Sequence, residues 1–132
     1  MPTLYITATP IGNLEDMTFR AIKILGEVAL VAAEDTRTTR KLLTRYNIKA
    51  RMMSLNDHNL RKNTPTILEI LKNDDVALVS EAGTPSISDP GSALVAVVRN
   101  AGYDIVPLPG PSAVTAALSA SGFSGQSFLF LG

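Results

Sequence analysis

Two short runs, Val28–Ala33 (VALVAA) and Val76–Ser80 (VALVS), are apolar on both faces of a would-be strand rather than on alternate residues. A strand with one wet face alternates, so runs of this kind belong to parallel strands covered by helices on each side. Four more apolar segments with β-branched or aromatic residues recur along the chain, at Leu4–Thr7, Met52–Leu55, Ile105–Leu108 and Phe128–Leu131. Between them lie helical patterns. Met17–Leu25 sets Phe19, Ile22 and Leu25 on one stripe, Thr38–Tyr46 carries Leu42, Leu43 and Tyr46, and Thr66–Lys72 carries Ile67, Ile70 and Leu71. Ser92–Asn100 and Ser112–Ser121 complete the set. Strand and helix in turn predict an α/β domain with a mostly parallel sheet and helices on both faces. The punctuation agrees: Asn47 and Gly102 stand where helices need left-handed C-caps, and Gly122 and Gly125 flank a turn before the last apolar segment.

Composition then removes whole classes of chemistry. The chain has 132 residues, enough for one domain with an ordinary core. It has no cysteine and one histidine, His58, so disulfides, thiolate chemistry and a zinc site are excluded and no metal is expected. No apolar run reaches the roughly 18–20 residues that cross a bilayer, and the first ten residues lack a signal-peptide pattern, so a cytoplasmic protein without membrane contact is expected.

The formal net charge is zero. It conceals a segregation. Residues 1–35 hold two cations against five anions, residues 63–132 hold two against six, and residues 36–62 hold eight (Arg37, Arg40, Lys41, Arg45, Lys49, Arg51, Arg61, Lys62) against Asp57 alone. A basic block of this size in a neutral chain reads either as a surface for a polyanion or as a solvated helix face.

In open parallel sheets ligands bind beyond the carboxyl ends of the strands. Four loops there are unusual. The first strand leads into Ala8-Thr9-Pro10-Ile11-Gly12-Asn13-Leu14-Glu15-Asp16, and the second ends in Glu34-Asp35-Thr36-Arg37. The fourth leads into Glu81–Gly91 (EAGTPSISDPG), and the fifth into Pro107-Leu108-Pro109-Gly110-Pro111-Ser112-Ala113. Glu34 and Asp35 also suit a purely structural role, with Asp35 or Thr36 capping a helix. Glu81–Gly91 exceeds the ~2–6 residues that a strand-to-helix turn needs, so its beginning is assigned to ligand and its Asp89-Pro90 end to starting the next helix. Neither GxxxxGK[ST] nor GxGxxG is present, which sets aside a P-loop and a dinucleotide site.

Taken together and in order, TPIGNLED, AEDTR, SLNDHN, SEAGTPSISDPG and PLPGPSAV resemble the N-terminal domain of the RsmI-type 16S ribosomal RNA (cytidine-2′-O)-methyltransferases, a branch of the tetrapyrrole (precorrin) methylase superfamily. The resemblance spans essentially the whole chain. It implies the N-terminal α/β domain of a two-domain enzyme over residues 1–132, with the C-terminal domain outside this chain. It further implies S-adenosylmethionine as methyl donor, a homodimer, and 16S rRNA or the small ribosomal subunit as partner. Carried over position by position, the donor contacts fall on Pro10, Ile11 and Gly12, on Ala82, Gly83, Thr84 and Ile87, and on Ser112 and Ala113. The glycine-rich GxGPGD of the tetrapyrrole enzymes reads here Thr9-Pro10-Ile11-Gly12-Asn13, which speaks against a porphyrinoid substrate.

The implied reaction is 2′-O-methylation of a cytidine, a displacement that asks the protein mainly for alignment and exclusion of water. A general base would activate the hydroxyl, and Glu34, Asp35, Asp57, His58 and Glu81 are all candidates. Arg37, Arg40 and Lys41 are expected to hold RNA phosphates, positioning the strand without reading it. Methylation of a tetrapyrrole or another small molecule, and a non-catalytic binding or dimerisation role, are the competing readings.

Overall fold

A computed structural model describes residues 1–132. Ten elements alternate along the chain: β1 (Thr3–Thr7), α1 (Phe19–Glu27), β2 (Leu30–Ala33), α2 (Thr36–Arg45), β3 (Met52–Ser54), α3 (Leu60–Ile70), β4 (Val76–Val79), α4 (Gly91–Asn100), β5 (Asp104–Leu108) and α5 (Ala113–Ala120). The strands form one five-stranded sheet in the order β3-β2-β4-β1-β5, and every neighbouring pair is parallel.

Side-chain alternation along the strands divides the core into two layers. Leu4, Ile6, Leu30, Ala32, Val76 and Leu78 pack with Ile67 of α3 and with Leu94 and Val98 of α4. Val31, Ala33, Ala77 and Val79 face the other way, onto Leu25 of α1 and Leu43 of α2. The crossovers β1→β2 and β2→β3 run toward one edge of the sheet, and β3→β4 and β4→β5 run back. Right-handed connections therefore put α1 and α2 on one face and α3 and α4 on the other. β2 and β4 are buried at every residue, which is what their uninterrupted apolar runs require.

The local signals work as read. Asn47 has φ +55° after α2 and Gly102 has φ +86° after α4. Asp35 is the N-cap of α2, its carboxylate accepting from the Arg37 backbone N–H at 2.9 Å.

Four expectations need correction. Phe128–Leu131 is not a strand: the sheet ends at β3 and β5, no sixth strand pairs with either edge, and these four residues are exposed. Phe19 opens α1 but points to solvent at 93% exposure, while Ala21 and Leu25 supply the buried stripe. Third, α3 begins at Leu60, not Thr66, because its polar first turns carry no apolar signal. They are anchored instead by Asn63, which donates to the Ser54 carbonyl at 2.7 Å. Finally, α4 starts at Gly91 with Pro90 at the N-cap, so Asp89 stands one residue before the cap; its carboxylate accepts from the N–H groups of Gly91 (2.8 Å) and Ser86 (2.7 Å), tying the start of the helix to the preceding loop.

Candidate functional site

The loops leaving β1, β4 and β5 converge on the carboxyl side of the sheet. Thr9 and Gly83 form a two-bond antiparallel bridge, each N–H donating to the other's carbonyl at 3.0 Å. The Thr84 hydroxyl donates to the Pro111 carbonyl at 3.2 Å and ties the β4 loop to the β5 loop. Gly110 lies so close to β1 that an added Cβ would stand 2.7 Å from the Ala8 Cβ. Gly83 has φ +76°, and a Cβ there would meet Ile11 Cγ2 at 3.3 Å, so bare backbone forms the wall at this point. The long β4 loop also holds Ser86 and Ser88 at φ +71° and +56°, left-handed conformations that Asp89 stabilises at Ser86 through its carboxylate.

Seven of the nine positions expected to contact a donor line one cavity of about 370 Å³: Ile11, Ala82, Gly83, Thr84, Ile87, Ser112 and Ala113. Val114 and Phe130 complete its wall. Pro10 lines instead a separate notch of about 60 Å³ that also has Thr9 in its wall, and Gly12 is exposed on the loop outside both. A wider groove of about 740 Å³ shares Ile11 and Ser112 with the first cavity and continues it between the start of α1 and α5. Glu15, Asp16, Thr18, Thr115 and Ser119 line this groove. Sequence reasoning missed them; the spacing of Thr115 and Ser119, one helical turn apart behind Ser112, was the available signal.

The five candidate bases separate clearly. Asp35 is occupied as the α2 cap, and the backbone N–H of Arg37, against a partial opposing effect of desolvation, holds its carboxyl below the usual range. That makes it a poorer proton acceptor. His58 sits on the exposed turn before α3, its backbone N–H donating to Asn56 Oδ1 at 2.9 Å, and lines neither the cavity nor the notch. Glu34 and Asp57 flank a separate acidic depression with Asp89. Glu81 lines the notch beside the cavity, and its backbone N–H donates to Glu34 Oε2 at 3.4 Å.

All eight cations of residues 36–62 are exposed. α2 carries Arg37, Arg40, Lys41 and Arg45 on one face of the sheet, Lys49 and Arg51 lie just before edge strand β3, and α3 carries Arg61 and Lys62 on the opposite face. The positive charge thus wraps one edge of the sheet as a band. Only Arg37 has an acidic neighbour, Asp35 at 3.7 Å, and Arg45 stacks over the Tyr46 ring at 5.6 Å.

The family model described as Tetrapyrrole (Corrin/Porphyrin) Methylases matches residues 3–128. The chain belongs to that family. Among curated members, a "Ribosomal RNA small subunit methyltransferase I" of Vibrio cholerae is 52% identical over 132 residues, covering 99% of this chain and 46% of the relative. The protein of the same name from Thermotoga maritima is 50% identical over 133 residues, covering 100% of this chain and 60% of the relative. This tetrapyrrole methylase chain therefore spans about half the length of the curated relatives it matches. Its fold is that of a solved uroporphyrin-III-C-methyltransferase from Thermus thermophilus, with a TM-score of 0.68 at 20% identity over 91% of this chain and 51% of that one. No helix in this family member is long and apolar enough to cross a membrane.

Proposed function

We propose that the protein to which this chain belongs transfers a methyl group from S-adenosylmethionine to the 2′-hydroxyl of a cytidine in small-subunit ribosomal RNA. In this reading residues 1–132 form an N-terminal domain that supplies one wall of the donor site and the RNA-facing surface. The observation that carries it is the juxtaposition of a small-molecule cavity at the sheet's carboxyl edge with an exposed basic band, of which only Arg37 has an acidic partner, on the same domain. The names of the relatives at about half identity supply the substrate class.

The cavity suits the donor. Six of its nine lining residues are apolar, which favours an adenosyl group, and the hydroxyls of Thr84 and Ser112 with the bare backbone at Gly83 offer polar contacts at close range. Ile11, Ala82, Gly83, Thr84, Ile87, Ser112 and Ala113 would hold it. When bound, the donor supplies an activated methyl and its own leaving group. The protein's part is to fix the acceptor oxygen in line and keep water out.

A homodimer in the cytoplasm completes the reading, as does a second domain closing the open side of the donor cavity. Residues 1–132 alone are expected to have no methyltransferase activity. A tetrapyrrole or other small-molecule acceptor would leave the cationic band without a task. Charge reversal therefore discriminates: Arg37→Glu, Arg40→Glu and Lys41→Glu together should weaken binding of the full-length protein to small ribosomal subunits by at least tenfold and flatten its salt dependence, because each phosphate contact adds to the salt slope. Unchanged RNA affinity with unchanged activity would return the choice to a small-molecule substrate. Calorimetric titration of the full-length protein with S-adenosylmethionine tests the donor, and absence of heat rejects it.

A further inference from the structure

The β1 loop supplies part of the donor-cavity wall through Ile11, yet little holds that stretch in place. Pro10, Ile11 and Gly12 make no backbone hydrogen bond, and nothing lies within 4 Å of where a Gly12 Cβ would stand. On one side the stretch is anchored by the Thr9–Gly83 bridge. On the other, Asn13 closes a local turn, its carbonyl accepting from the Asp16 N–H and its Oδ1 from the Glu15 N–H, both at 3.0 Å. A turn of this kind shapes the loop without fixing it to the body of the domain. One hydrogen bond does that: the Tyr46 hydroxyl donates to the Leu14 carbonyl, 32 residues away in sequence.

Tyr46 is a firm post. As the C-cap of α2 it donates its N–H to the Leu42 and Leu43 carbonyls at 3.3 and 3.2 Å. Asn47 then turns in the left-handed conformation, and the Ile48 N–H returns to the Leu43 carbonyl at 2.8 Å. Leu43 itself is buried in the core layer with Val31 and Val79, so the end of the helix is tied to the sheet. The Tyr46 ring is half-buried, with the Arg45 guanidinium over its face. A tyrosine has two rotatable angles, so its hydroxyl can hold a distant group at small entropic cost. The carbonyl it holds lies between Ile11, on the donor cavity, and Glu15 and Asp16, on the groove that continues it.

We infer that Tyr46 is a positioning residue for the donor site, its hydroxyl pre-forming the Ile11 wall by fixing the β1 loop to the end of α2. The inference rests on the methyl-transfer reading and adds to it a residue outside the cavity on which donor affinity depends. With the tether in place, the loop is ordered by folding. Without it, the donor has to order the loop on arrival, and that cost is subtracted from its affinity. The helix that presents Arg37, Arg40, Lys41 and Arg45 to solvent thus also braces the donor loop.

The test uses the full-length protein with S-adenosylmethionine and small ribosomal subunits. Tyr46→Phe removes the hydroxyl and keeps the ring. It should weaken donor binding in calorimetry about fivefold, the net worth of one hydrogen bond read as an affinity ratio. The KM for the donor should rise by the same factor, while kcat at saturating donor and the KM for the subunit stay within about twofold. Amide hydrogen exchange over residues 11–17 should be faster in the donor-free variant and return to the wild-type level once the donor is bound. Tyr46→Leu should match Tyr46→Phe, because the hydroxyl carries the effect. Donor affinity and loop exchange that are unaltered in Tyr46→Phe overturn the inference, as does a loss seen in Tyr46→Leu alone, which would assign the effect to ring packing. A Tyr46→Phe protein that is less stable in urea but binds the donor as the parent does reduces Tyr46 to a brace of the fold and overturns it too. If the unaltered protein takes up no donor, the methyl-transfer reading fails and this inference falls with it; a parent that binds the donor, beside a variant that binds equally well, removes the positioning role alone.

Discussion

β4 and α5 are both written in apolar residues, VALV and AVTAALSA, yet their fates are opposite. Every residue of β4 is buried, and no residue of α5 is. β4 lies between β2 and β1 with α3 and α4 packed on one face and α1 and α2 on the other, so each side chain meets a partner whichever way it points. The helix α5 follows edge strand β5, and neither core layer includes any of its residues. Apolar composition supplies the tendency to leave water; only a neighbour of matching shape turns it into stability. The exposed side chains of Phe123 and Phe128–Leu131 extend the same unpartnered character beyond α5.

The sharpest way to break this contrast is to remove side chains from each region. Leu78→Ala in the centre of β4 deletes packing against α3 and α4 and should cost about 3 kcal/mol, within the usual 2–5 for a buried leucine, read from urea denaturation of this chain. A loss below about 1 kcal/mol would mean that the core relaxes around the gap and that β4 is less central than its burial indicates. The next effect belongs to the junction between the two regions. Gly110→Ala forces a Cβ to within 2.7 Å of Ala8 and should cost roughly 1–3 kcal/mol by the same measurement, because the β5 loop must move away from β1. The smallest effect is expected at the periphery. Phe128→Ser and Leu129→Ser should each change stability by no more than about 0.5 kcal/mol, the ordinary range for exposed positions. A larger loss in this chain would show that the terminal segment packs, contrary to its exposure.

The same contrast explains how much was legible in the sequence. The five strands and the helices α1 to α4 were marked by residues that face a partner inside the chain, such as Leu30–Ala33 and Val76–Val79, and by caps such as Asp35, Asn47 and Gly102 whose conformation is local. Phe128–Leu131 carries strand-forming residues but finds no sheet edge, and pairing is a long-range event that composition does not encode. The opposite failure occurs at α3, where Leu60–Pro65 is helical without an apolar stripe and is held by Asn63 on Ser54. The β4 loop was assigned to ligand from its length, and donor contacts in the β1 and β5 loops came only from the family resemblance; their meeting around one cavity depends on the β4–β1–β5 adjacency, which only the folded sheet reveals. The tether was harder still. Tyr46 and Leu14 come from two separate stretches, and a tyrosine in sequence gives no sign of which carbonyl its hydroxyl reaches.

The two rims of the sheet bear on how copies of this chain can meet. β3 is three residues long with Lys49 and Arg51 just before it, and β5 contains Pro107, which has no N–H to offer. Short length, positive charge and proline each discourage a foreign strand from adding to an open rim. Both rims are therefore guarded against strand-by-strand growth, into a fibre or into a continuous sheet across two molecules. Any stable pairing of this domain with a second copy has to be made through helices and loops, side chain against side chain.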